Sequence, residues 1–194
     1  MKDIQKLTFT SVLVATAVVF SLMTKFIPGL NLQMPQGGQV FGIAMLPIIL
    51  TGILFGVRYG VVGGMLYGLT SLLLDGVVYH WASVFTDYVF AFGVLGLAGL
   101  FRKSIYDWKE FTLVFIFVAF LRYLSHAFGG AIIFAEFAPE GMNPWFYSFV
   151  VYNAPYMLSS TALTLMVGLL IRSKLILVME DYRLIDPSLR SSHQ

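Results

Sequence analysis

Residues 40–75 read VFGIAMLPIILTGILFGVRYGVVGGMLYGLTSLLLD, with a single cation, Arg58, before the closing Asp75. A helix crosses the hydrocarbon core with roughly 20 mostly apolar residues, so this run holds two short crossings. Gly56-Val57-Arg58-Tyr59-Gly60 divides them, and two glycines beside an arginine read as a tight turn at an interface. Working outward, further apolar segments give six spans at about 8–27, 40–56, 59–75, 84–101, 111–136 and 146–171. The pattern predicts an all-α integral membrane protein, a six-transmembrane-helix bundle. It forms a single membrane domain over 1–194 with a polar tail at 172–194. Leu7 to Met23 follows a basic start, as in a signal peptide. Ala15-Thr16-Ala17 falls inside the apolar run, however, so this segment reads as a retained first span.

Composition agrees. Of 194 residues, 58% are hydrophobic and 11% charged, and the mean hydropathy is +0.83. Soluble domains carry about 45–50% apolar and about 25% charged residues, so a soluble enzyme is excluded. The 16% aromatic content argues against disorder. A formal charge of +2 is too small to indicate nucleic acid, so no nucleic-acid partner is expected. With no cysteine there is no disulfide framework, thiolate metal site or cysteine nucleophile.

Lys and Arg set the orientation. With six spans the termini share a side, which collects Lys2, Lys6, Arg58, Arg102, Lys103, Lys109, Arg172, Lys174, Arg183 and Arg190. The opposite loops hold only Lys25, so both termini are expected in the cytoplasm and the chain in the cell membrane. Asp75, Asp87, Glu136 and Glu140 lie at or near the outer ends of spans three to five. An outward vestibule of carboxylates would focus a negative potential and attract cations. Loops also carry acids for no such reason.

Gly52, Gly56, Gly60, Gly64 and Gly68 recur every four residues, and Gly93, Gly96 and Gly99 every three. Small residues let helices approach closely in lipid, which favours a tight hairpin of spans two and three. Ser11 and Ala15 form a further small pair on span one, suited to internal packing or to contact with another membrane protein.

No P-loop, His-Glu-x-x-His or Gly-x-Ser-x-Gly motif occurs. His80, His126 and His193 do not form an obvious ligand set, so no metal site and no catalytic constellation is expected. Ionisable groups at membrane depth are functional hypotheses by default. Arg122 and His126 share a face of span five at i, i+4. Arg122 lies about 18 Å along the helix from Glu110. It reads first as a structural cation that caps carbonyls or pairs with an internal acid. His126, nearer the outside, is more readily a ligand contact. Asp87 opens span four, where the helix dipole favours a carboxylate. Asn153 sits between Tyr152 and Tyr156, deep enough that its amide needs a partner helix or a ligand. Trp81, Trp108 and Trp145 fit an interfacial belt. A carboxylate, aromatic rings, a histidine and an amide together suit a small, flat, cationic, hydrogen-bonding ligand.

At these residues the chain resembles the substrate-binding S-components of energy-coupling factor vitamin transporters, and most closely the thiamine-specific type. The stretches are Pro35-Gln-Gly-Gly-Gln39, Ala44-Met-Leu-Pro47, Asp87 to Gly99, Arg122-Tyr-Leu-Ser-His126, Ala138 to Met142 and Tyr152 to Ser160. The likeness runs from about Leu7 to Leu170. It implies capture of thiamine from outside without catalysis. Asp87 would face the thiazolium cation with Tyr88 beside the ring. His126 and Asn153 would bind the ligand, and Phe134 and Tyr147 would complete the pocket. Ser11 and Ala15 would dock the membrane coupling subunit. Two attached ATPases would use ATP there, leaving this chain without a cofactor. Two features depart from the family pattern. Tyr147 stands six residues before Asn153 where five is expected, a position held by Ser148. No tryptophan follows Pro28, and Gln39 stands roughly where some members place one as a pocket wall.

The same inventory leaves other readings open: an S-component for another vitamin or for a pyrimidine or thiazole precursor, or a solitary secondary transporter. Riboflavin and folate fit the acidic face poorly, and secondary transporters often show internal repeats, which are not evident.

Overall fold

A computed structural model describes residues 2–76 and 78–181, apart from the side chain of Asp75. Arg183, Arg190, His193 and the end of the polar tail lie outside the described residues. The six helices are α1 (Asp3–Phe26), α2 (Met45–Phe55), α3 (Val57–Asp75), α4 (Val84–Tyr106), α5 (Trp108–Ile133) and α6 (Pro144–Asp181). All but α2 are long and apolar enough to cross a membrane, and the protein is multi-pass.

At 11 residues, α2 is about 16 Å long, half the hydrocarbon thickness. Every one of its residues is buried, among α1, α3 and α4. It starts at Met45, not near Val40, because residues 33–44 find other backbone partners. Gln33 and Gln39 pair antiparallel. Three α6 hydroxyls take carbonyls from the loop: Ser160 Oγ donates to Gln39 O at 2.8 Å, Ser159 Oγ to Val40 O at 2.6 Å and Thr164 Oγ1 to Gly42 O at 3.0 Å. Backbone that forgoes a helix in a membrane protein survives where protein groups satisfy it.

The glycine series closes more than a hairpin. Gly56, at φ 95°, joins α2 to α3 in a conformation that a side chain would strain. A Cβ on Gly96 of α4 would overlap the Gly60 backbone of α3, and one on Gly64 would overlap Phe92 O. Three helices therefore meet backbone to backbone. Arg102 of α4 donates from Nη2 to Leu54 O at 2.8 Å and from Nε to Ile53 O at 3.3 Å. It thereby satisfies carbonyls that the end of α2 leaves open.

Both ends of the α5–α6 pair are anchored by side chains. Asp107 Oδ1 accepts from Lys109 N at 2.7 Å and Glu110 N at 2.9 Å to start α5, an N-cap. Asn143 Oδ1 accepts from Trp145 N at 2.8 Å ahead of α6. α6 continues ten residues past the predicted span end, to Asp181. Leu175, Ile176 and Met179 pack on the core, and Arg172 Nη1 donates to Ile105 O at 2.7 Å. Packing thus overrides the polar residues that suggested an ending at Ile171.

Candidate functional site

Two helices are locally widened. Val84–Val89 in α4 and Tyr147–Asn153 in α6 are π-helical, and Phe90 N–H donates to Phe85 O five residues back. π turns occur often at functional sites. Here they carry Asp87, Tyr88, Tyr147 and Asn153. In such a turn residues five apart share a face. Asn153 Nδ2 accordingly donates to Ser148 O at 2.9 Å and Ser148 Oγ at 3.0 Å. The five-residue position belongs to Ser148, but Tyr147 faces the same space: both line one cavity.

That cavity, of about 250 Å³, is bordered by Asp87, Tyr88, His126, Asn153, Tyr147, Phe134 and Gln39. All seven ligand-contact residues expected from the sequence are brought together, from three helices, the 33–42 loop and the segment after α5. Ser11 and Ala15 are elsewhere. They are exposed and line an outer groove between α1 and α3 with Tyr59 and Val62.

The polar groups form two chains. In the first, Arg122 Nε donates to His126 Nε2 at 3.4 Å, and His126 Nδ1 lies 3.1 Å from Asp87 Oδ1. The guanidinium is always a donor, so Nε2 accepts and the proton sits on Nδ1, directed at the carboxylate. The Arg122 guanidinium also stacks 4.1 Å from the Phe92 ring centre, a cation–π contact. Among the described residues it neither caps a carbonyl nor pairs with an acid, which corrects the structural role read for it. Phe92 holds the charge on one side and His126 on the other.

In the second chain, Tyr156 Oη donates to Asn153 Oδ1 at 2.8 Å, and Ser148 Oγ donates to Ala127 O at 2.7 Å. The Asn153 amide nitrogen is occupied within its own helix, and its oxygen keeps one lone pair. Gly130 of α5 leaves room for this cluster, since a Cβ there would collide with Ser148 Oγ.

Among the described side chains the acidic vestibule contracts to one carboxylate, that of Asp75 lying outside them. Glu136 and Glu140 are exposed and do not border the cavity, where Asp87 is the acid among the described residues and Lys25 also reaches the wall. The 3₁₀ turn Ala135–Phe137 is the cause: it directs Phe134 and Phe137 toward the cavity and leaves Glu136 outside. Tyr79 joins them, 6.1 Å from Phe134 and 5.2 Å from Phe137 between ring centres.

Sequence reasoning missed Tyr67, Phe92, Tyr79, Phe137, Gln36 and Ser160 as cavity residues. One was within reach: Phe92 follows Tyr88 by four residues, as Tyr156 follows Tyr152, the spacing of one helical face. Tyr67 and Gln36 arrive through long-range packing that no local period reveals.

A family model described as "Thiamine transporter protein (Thia_YuaJ)" matches residues 7–179. The chain is 34% identical over 170 residues to the thiamine transporter ThiT of Bacillus subtilis, covering 82% of this chain and 85% of that protein. It is 28% identical over 137 residues to the thiamine transporter ThiT of Lacticaseibacillus paracasei, covering 63% and 68%. The fold matches the solved structure of ThiT from Listeria monocytogenes with a TM-score of 0.75 at 18% identity, over 90% of this chain and 96% of that one.

Proposed function

Because the chain belongs to the thiamine transporter family, we propose that it captures thiamine from outside the cell membrane and passes it inward as the S-component of an energy-coupling factor transporter. The observation that carries this reading is the Asp87 carboxylate, the one acid among the described residues of the cavity wall, oriented by His126 at 3.1 Å and surrounded by aromatic rings. Thiamine is a permanent cation built of two flat rings. A carboxylate and π faces stabilise it where water is scarce, each cation–π contact by about 0.5–2 kcal/mol.

Each expected residue has a chemical role in this reading. Asp87 faces the thiazolium charge with Tyr88 beside the ring. His126 and Asn153 complete the polar wall, and Phe134 and Tyr147 enclose the rings. Gln39 holds the loop that borders the cavity, through its carbonyl on Ser160. Relatives of this chain are transporters, not enzymes, and nothing in this reading asks for a covalent step. Energy would come from two ATPases through a membrane coupling subunit seated at Ser11 and Ala15, whose groove on α1 and α3 is open to the outside of the bundle.

The test is thiamine binding to detergent-purified protein, then uptake into vesicles with and without the coupling subunit and ATPases. Saturable binding below micromolar and ATP-dependent uptake support the proposal. Absence of such binding to thiamine or its phosphates rejects it. Uptake by the chain alone would instead assign a solitary transporter. The compound retained through purification, identified by mass, separates thiamine from pyrimidine or thiazole precursors.

A further inference from the structure

A buried polar atom left without a hydrogen bond costs free energy, so in a ligand cavity it marks where the ligand completes the bonding. Gln36 carries such an atom. Its backbone N–H donates to Tyr152 Oη at 3.1 Å, and the next residue, Gly37, turns the chain at φ 100°. The side chain borders the cavity. Its Oε1 is buried and accepts no hydrogen bond, and no described residue bonds its amide nitrogen. Three other buried oxygens are equally unpaired, on Thr10, Thr86 and Ser104, but none of these residues borders this cavity.

A primary amide presents an acceptor and a donor side by side. That edge pairs bidentately with an amino group next to a ring nitrogen, as glutamine does with adenine. Of the two rings of thiamine, only the aminopyrimidine has this arrangement. The thiazolium has a charge, which Asp87 serves. We propose that Gln36 is the residue that reads the aminopyrimidine: Oε1 accepts from the exocyclic amine and Nε2 donates to the adjacent ring nitrogen. The inference rests on the thiamine reading and deepens it, because it assigns the pyrimidine end of the ligand to the 33–42 loop. The two rings are then recognised separately, one by charge and one by a hydrogen-bond pattern.

Calorimetry on the detergent-purified full chain, with thiamine and with an analogue whose pyrimidine amino group is replaced by hydrogen, tests the assignment. The wild-type protein is expected to prefer thiamine by about tenfold, the size of one to two well-made hydrogen bonds. Gln36→Leu loses about tenfold for thiamine and less than about twofold for the analogue, so the preference collapses. Gln36→Glu keeps an acceptor for the amine and retains a measurable preference. An equal loss for both ligands in both variants, or no loss in Gln36→Leu, overturns the assignment. Failure of the wild-type protein to bind thiamine would reject the functional reading itself, a distinct result. Unchanged melting temperatures identify the variants as folded.

Discussion

His126 Nδ1 lies 3.1 Å from Asp87 Oδ1 across 39 residues of chain. The other ring nitrogen is engaged by Arg122, so the imidazole is locked between a donor and an acceptor. The carboxylate is thereby aimed before any ligand arrives, and preorganisation of this kind lowers the cost of binding.

Asp87→Asn preserves shape and removes charge. Thiamine affinity is expected to fall about 100-fold, within the range for a desolvated charge pair. A neutral thiazole analogue should lose less than about threefold. Isothermal titration of both ligands checks this, and equal losses would reject the role of Asp87 as counter-ion.

Arg122→Leu leaves His126 Nε2 without its donor and releases the tautomer. Thiamine affinity should drop about tenfold, while Arg122→Lys, able to supply the one N–H that His126 takes, keeps most of it. Nitrogen NMR of the His126 ring gives an independent readout: the Nδ1–H form dominates in wild type and mixes with the other tautomer in Arg122→Leu.

Tyr152→Phe removes the oxygen that accepts from Gln36 N. One lost hydrogen bond of about 1 kcal/mol corresponds to roughly fivefold faster ligand release, readable by stopped-flow. An unchanged release rate would separate the loop from ligand retention.

Gly96→Ala drives a methyl group into the Gly60 backbone. Overpacking of this kind costs about 1–3 kcal/mol, so the melting temperature in detergent should fall by several degrees. Gly63→Ala meets side chains rather than backbone as its nearest neighbours, Thr10, Val14 and Thr51, the nearest at 3.2 Å, and should be tolerated far better.

Ala15→Trp fills the outer groove of α1 and α3, well away from the cavity residues. Thiamine binding should stay within about twofold of wild type, below about 0.5 kcal/mol as for surface changes generally. Co-purification with a coupling subunit should be lost. Retained co-purification would move the docking surface elsewhere.

Much of this was legible in the sequence because bilayer physics is local. Apolar runs and glycine periods located the helices, and Asp87, His126 and Asn153 stood out as polar groups at depth. The start of α2 did not, since Val40 to Ala44 is as apolar as a helix. What keeps these residues out of the helix is a set of hydroxyls on Ser159, Ser160 and Thr164, some 120 positions away. Glu136 misled for a related reason: one 3₁₀ turn decides which side of the wall a loop residue faces. Arg122 was visible as a cation, but its partner ring, Phe92, lies on another helix.

The two π turns have a further consequence, for the way the pocket tolerates change. Each holds one residue more than the helix around it, equivalent to about 100° of rotation between the segments before and after. Deleting a single residue within Val84–Val89 would swing Asp87 relative to Phe92 without shortening α4 by more than about 1.5 Å. The recognition wall can therefore be re-aimed by an edit of one codon while the glycine-packed spine behind it stays in register. Binding chemistry and scaffold are, in that sense, separately adjustable parts of one short chain.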